Sequence, residues 1–235
     1  PADTAIGRDG RLYVANRSLD GDMRGVRVTM CDAESEYFGT FGSYGEGDGQ
    51  FIWPSSAAVD GLGRIYICDE HLHRISVFDE SGRPLSQWGQ PGKENGKLDT
   101  PSGIAIDQQD NVYISDTYNH RIQKFTKEGK FLSTWGSYGS GPGQFNLPWG
   151  VAVNAGGQVY VTDWRNDRVQ MFGPQGDFLL QWGSTGSGEG EFDRPVGIAV
   201  DRDGDVYVVD WHNHRVQIFD SGGRFQAQLA GDSNL

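Results

Sequence analysis

Residues 101–147 read PSGIAIDQQDNVYISDTYNHRIQKFTKEGKFLSTWGSYGSGPGQFNL, and the proline string that opens them recurs at a constant interval. Pro54, Pro101, Pro148 and Pro195 lie 47 residues apart and begin PSSAAVD, PSGIAID, PWGVAVN and PVGIAVD. A period of this length accommodates four short strands with their turns. Within residues 101–147, apolar positions alternate between clusters of Gly, Asn and Asp: Ile104 and Ile106, Val112 and Ile114, Ile122 and Phe125, then Phe131 and Trp135. Those segments predict four antiparallel strands, here a to d. A single meander of such strands leaves an apolar face in water, so it must stack on copies of itself.

The register holds along the chain. Asp69, Asp116, Asp163 and Asp210 close strand b; Arg74, Arg121, Arg168 and Arg215 open strand c; Phe41, Trp88, Trp135, Trp182 and Leu229 close strand d. Five units follow, 1–53, 54–100, 101–147, 148–194 and 195–235, within one domain. The first has six extra residues between Asn16 and Arg27, taken up by its b–c loop. The expected class is all-β, a β-propeller of four-stranded antiparallel blades. The last unit ends FQAQLAGD where the fourth has FLLQWGST, and neither end offers a strand to close a seam. A six-bladed ring with one blade outside these residues is therefore the preferred closure.

The runs GIAIDQQDNVYISDTYNHRIQKF (103–125) and GIAVDRDGDVYVVDWHNHRVQIF (197–219), with the connection GSYGSGPGQFNLP (136–148), resemble the NHL-repeat β-propeller family. The resemblance spans residues 1 to 235 and implies the propeller fold. It leaves function open, since one fold hosts unrelated activities. Proteins of this family serve as protein-binding platforms, as RNA readers and as the lyase that completes peptide amidation; related propellers include calcium-dependent lactonases.

A formal charge of -12 disfavours attraction to nucleic-acid phosphates. No apolar run approaches the roughly 18 residues that cross a bilayer, so a soluble chain is expected. Cys31 and Cys68 take places where other units have strand residues, which predicts free thiols, with a disulfide between neighbouring units as the alternative. The sequence begins at Pro1, so a processed chain or a fragment is expected, in an extracytoplasmic or secreted setting if a leader was removed.

What recurs in every unit reads as structure. Each Asp–Arg pair five residues apart predicts a salt bridge between strands b and c, and Asn16 breaks the pattern in the first unit. All five histidines, His71, His73, His120, His212 and His214, lie in b–c loops. Equivalent positions on neighbouring blades stand too far apart to share a metal, so no metal, cofactor or catalytic residue is assigned. Asp60, Asp107, Asn154 and Asp201 precede tight turns and read as turn formers rather than calcium ligands. The amidating lyase would require histidines outside the repeat loops, and this sequence has none. The glycine-rich connections precede strands and lack a P-loop lysine, so they are not phosphate cradles.

Because antiparallel strands alternate direction, the b–c turns and d–a connections emerge on one face. There the loops vary on a constant frame: EHLH (70–73), TYNH (117–120), WRND (164–167) and WHNH (211–214). Trp149, Trp164, Arg165, Trp211, Tyr118, His71 and His212 are the candidate binding residues, since aromatic side chains and Arg dominate hot spots. The expected function is a noncatalytic scaffold that binds a protein or peptide partner through this face, as a subunit of a larger assembly. The alternative is a channel-centred, metal-dependent lyase or lactonase-like hydrolase.

Overall fold

The computed structural model describes residues 1–18 and 23–230. They form five sheets, each of four antiparallel strands in chain order, and one short parallel pair, Ser43–Tyr44 with Gln50–Phe51, in the first connection. The third blade comprises Pro101–Ile106, Val112–Asp116, Arg121–Phe125 and Phe131–Trp135. Its register places Ile104 opposite Ile114, Asp116 opposite Arg121, and Ile122 opposite Trp135. The first blade, Asp3–Ile6, Leu12–Asn16, Arg27–Cys31 and Tyr37–Phe41, repeats the pattern. Its b–c insertion lies partly outside the described residues.

The core is a series of layers between blades. Along strand b of the third blade, Val112 and Ile114 pack with Tyr66, Cys68 and Ile75 of the second blade, whereas Tyr113 packs with Val151, Val159 and Val161 of the fourth. The two-residue period of a strand thus buries both faces of a middle blade. Strands b of blades two to four are accordingly buried throughout, while strand d of the second blade lies at the wet rim. On the fifth blade Val209 is 38% exposed, where its counterparts Cys68, Ser115 and Thr162 are fully buried.

Each strand d ends beneath the next blade. Phe41, Trp88, Trp135 and Trp182 lie against Gly82, Gly129, Gly176 and Gly223, all at positive φ in the following c–d turn. A Cβ at Gly129 would stand 2.4 Å from the Trp88 ring, so glycine is required by space as well as by backbone. Leu229, which occupies the same place in the fifth blade, is exposed.

The Asp–Arg pairs hold three blades as expected. Asp116–Arg121, Asp163–Arg168 and Asp210–Arg215 approach to 2.6, 2.9 and 2.8 Å with their carboxylates fully buried. The second blade departs: Asp69 accepts instead from the backbone N–H groups of Ile52, Trp53, His71 and Leu72. Arg74 there donates to the carbonyls of Glu46, Gly47 and Gln50. Those carbonyl bonds recur at Arg168 and Arg215, so the arginine also lashes the glycine-rich connection to the blade it enters. In the first blade Asn16 donates to Val14 and Thr29. Asp60, Asp107, Asn154 and Asp201 each accept from backbone N–H groups two and four residues ahead, the expected turn role. Both cysteines are free thiols, Cys68 buried and Cys31 partly exposed.

Candidate functional site

The b–c loops of the first three blades meet around a cavity of about 730 Å³, lined by Arg17, Ser18, Trp53, Glu70, His71, His73, Thr100, Tyr118 and Trp149. Its walls follow from chain topology. Glu70 and His71 leave strand b of the second blade, and Tyr118 sits in the one-turn helix Thr117–Asn119 after strand b of the third. Trp53 precedes the proline that opens the second blade, and Trp149 follows the proline of the fourth. The Glu70 N–H donates to the Trp53 carbonyl at 3.0 Å, and Tyr118 N–H to Asp99 at 3.1 Å, which tie the b–c turns to the adjoining connections.

Rings dominate the exposed part. Trp53 is 52% exposed and Tyr118 57%. Trp53 meets His71 edge to face at 6.0 Å between centroids. Trp149 continues the surface into Trp164 at 5.7 Å, and the guanidinium groups of Arg165 and Arg194 each lie 5.2 Å from the Trp164 ring centre. Two cations on one indole fix its plane through attraction to the ring electrons. Farther round, Trp211 is 50% exposed and packs on His212 at 4.6 Å, while His212 Nδ1 stands 3.3 Å from Asp193.

The structure therefore groups the predicted residues in three neighbouring sets: Tyr118, Trp149 and His71 at the cavity, Trp164 with Arg165 beside it, and Trp211 with His212 beyond. Sequence reading missed Trp53, Arg17, Glu70 and Arg194. Trp53 and Arg194 both precede a blade proline, where the other units have Thr100 and Leu147, so the same comparison of units would have found them.

Charge at the cavity centres on Glu70. Its side chain is 6% exposed, and Oε2 accepts from Arg17 at 3.2 Å. Among the described residues Oε1 has no hydrogen-bond partner. Burial raises the Glu70 carboxyl above the ordinary carboxylate value, and Arg17 works against that rise. The histidines divide in role. His73 and His120 hold left-handed backbone and accept through Nδ1 from Thr100 and Leu147 of the following connection, so they clasp one blade to the next. Among the described residues no group of three or more His, Cys, Asp or Glu is placed to hold a metal ion.

The model of the NHL repeat matches residues 51–78, 98–125, 145–172 and 192–219, the strand a to c portions of blades two to five. The chain belongs to the NHL-repeat β-propeller family. Among curated proteins this NHL propeller is 49% identical over 47 residues to the B-box type zinc finger protein ncl-1 of Caenorhabditis elegans, covering 20% of the chain and 6% of that protein. It is 32% identical over 72 residues to Protein brain tumor of Drosophila melanogaster, covering 31% of the chain and 7% of the relative. The matches thus span only a small part of these relatives. Among solved structures, virginiamycin B lyase from Staphylococcus aureus is similar with a TM-score of 0.67 at 13% identity, over 100% of this chain and 71% of that one. A chain of a nidogen/laminin complex gives 0.72 at 19% identity, over 98% and 80%. At these identities the likeness is one of fold. No helix among the described residues is long and apolar enough to cross a membrane.

Proposed function

We propose that this NHL propeller is a noncatalytic scaffold whose b–c face binds a protein or peptide partner. The observation that carries the reading is the set of rings on this face: Trp53, Tyr118 and Trp149 line the cavity, Trp149 pairs with Trp164, and Trp211 stands exposed in the b–c loop of the fifth blade. Trp53, Tyr118 and Trp211 stay exposed while Trp149 and Trp164 are half-buried, and large rings on a fixed frame give contact area at little ordering cost, which is what binding anchors supply. The channel-centred lyase or hydrolase reading has no comparable support, because His73 and His120 already serve as blade clasps.

The test installs a photo-crosslinking residue at Tyr118 and, as a control, at Leu62 on the opposite face. A partner captured from Tyr118 alone is then titrated calorimetrically against Trp164→Ala and Trp211→Ala. Each variant should lose more than about 1 kcal/mol of affinity. Capture from Leu62 with unchanged affinity in both variants would reject this face.

A further inference from the structure

We infer that the cavity between Trp53, Tyr118 and Trp149 is a receptor for a cationic side chain of the partner, seated against Glu70 in the place now held by Arg17. The inference rests on the binding reading above and names the chemistry of what enters the site.

The first ground is the incomplete state of Glu70. A carboxylate this deeply buried normally has its oxygens satisfied, because an unpaired charge out of water is costly. Here one oxygen holds Arg17 through a single contact and the other has no hydrogen-bond partner among the described residues. The second ground is Arg17 itself. Its side chain is about a third exposed, and it shows that a guanidinium reaches this carboxylate. An incoming guanidinium that binds both oxygens in parallel would replace one bond with two. The third ground is the wall: two exposed rings, Trp53 and Tyr118, line the cavity together with Trp149, and the electron-rich face of such a ring attracts a cation. A chain of net charge -12 favours encounter with a basic partner over an acidic one. An anionic ligand would meet Arg17 but would also bring its charge beside a buried carboxylate that lacks a full set of donors.

The test uses three blocked tripeptides, acetyl-Gly-X-Gly-amide with X as arginine, lysine or citrulline. Binding is followed by calorimetry and by the indole N–H resonances of Trp53 and Trp149. Citrulline keeps the shape of arginine without its charge. The arginine peptide should bind at least tenfold tighter than the citrulline peptide and shift both indole resonances. Glu70→Gln should abolish that preference, and Trp53→Leu, which leaves the carboxylate untouched, should weaken arginine binding several-fold. Arg17→Ala should strengthen it several-fold by vacating the carboxylate. The lysine peptide separates a planar from a compact cation, and weaker binding than arginine is the outcome expected from paired donation to both oxygens.

Equal affinity for arginine and citrulline would overturn the inference, as would weaker arginine binding in Arg17→Ala. If the peptides do not discriminate but Trp164→Ala and Trp211→Ala still weaken the captured partner, the cation site fails and the binding face stands. If the arginine preference holds while neither Trp variant affects the partner, the proposed face fails and the cation site stands.

Discussion

His120 Nδ1 accepts a hydrogen bond of 3.2 Å from the backbone N–H of Leu147, the residue before the proline that opens the next blade. Both residues hold left-handed backbone, φ 54° and 60°. His73 makes the same clasp to Thr100, and Asp167 substitutes in the fourth blade with a carboxylate oxygen 2.9 Å from the Arg194 nitrogen. The recurring histidine thus acts as a backbone acceptor, and an acceptor nitrogen is lost on protonation.

A pH dependence follows. Burial lowers the proton affinity of His120 below the ordinary imidazole value, so the folded state favours the neutral ring that accepts from Leu147. The folded state binds fewer protons than the unfolded chain, whose imidazole titrates near about 6.5. The stabilisation is therefore complete above that value and lost as pH falls through the lower folded value. Urea midpoints of the wild type should drop between about pH 7.5 and 5 relative to those of His120→Asn, whose amide oxygen accepts without titrating in this range and tolerates the left-handed backbone. Parallel midpoints would assign the acid sensitivity elsewhere.

Replacing the buried acids separates two kinds of blade. Asp163 pairs with Arg168, whose side chain is 7% exposed, so Asp163→Asn leaves a buried guanidinium without its counter-ion. The expected cost is about 3–5 kcal/mol. Asp69→Asn removes no such pair, because Arg74 is held by carbonyls, and should cost about 1–3 kcal/mol through weaker backbone acceptance. Denaturant unfolding of both variants at neutral pH gives the comparison, and equal losses would mean the ion pair adds nothing to the turn bonds.

Thiol chemistry should distinguish the two cysteines. Cys68 is fully buried between the second and third blades, and burial raises its thiol well above the ordinary value. Cys31 is partly exposed. Since the thiolate is the reactive form, a colorimetric disulfide reagent should titrate one thiol in the native protein and both after denaturation. Mass spectrometry after native labelling should place the adduct on Cys31.

The period of the sequence carried the architecture because a strand that packs on both faces must repeat its alternation in every blade. Val112 and Ile114 against Tyr113 show that logic in three consecutive residues. The site was less legible. Trp149, Trp164 and Trp211 stood out as large rings in loops, but Trp53 lies in a connection that reads as a spacer, and its partners Arg17 and Glu70 meet only across 53 positions of sequence. The loss of the Asp69–Arg74 pair was equally hidden, because both residues are present in register. Leu72, where the third unit has Asn119, and Ser76, where it has Gln123, were the accessible signs that this blade had exchanged its buried network.

Glycine variants can separate backbone strain from crowding between blades. Gly143 has φ 74° with nothing within 4 Å of an added Cβ, so Gly143→Ala carries only the left-handed penalty, about 1–2 kcal/mol. Gly129 has φ 81°, but its added Cβ would lie 2.4 Å from Trp88, the residue that closes strand d of the preceding blade. Gly129→Ala should therefore cost the same backbone penalty and about 1–3 kcal/mol more, the range for forcing extra volume into a packed site. Pairing each with Trp88→Leu provides the control. The extra cost at Gly129 should shrink in that background, because the smaller side chain can withdraw, while the cost at Gly143 should stay constant. An unchanged difference between the two glycines would show that Trp88 does not set the spacing between the second and third blades.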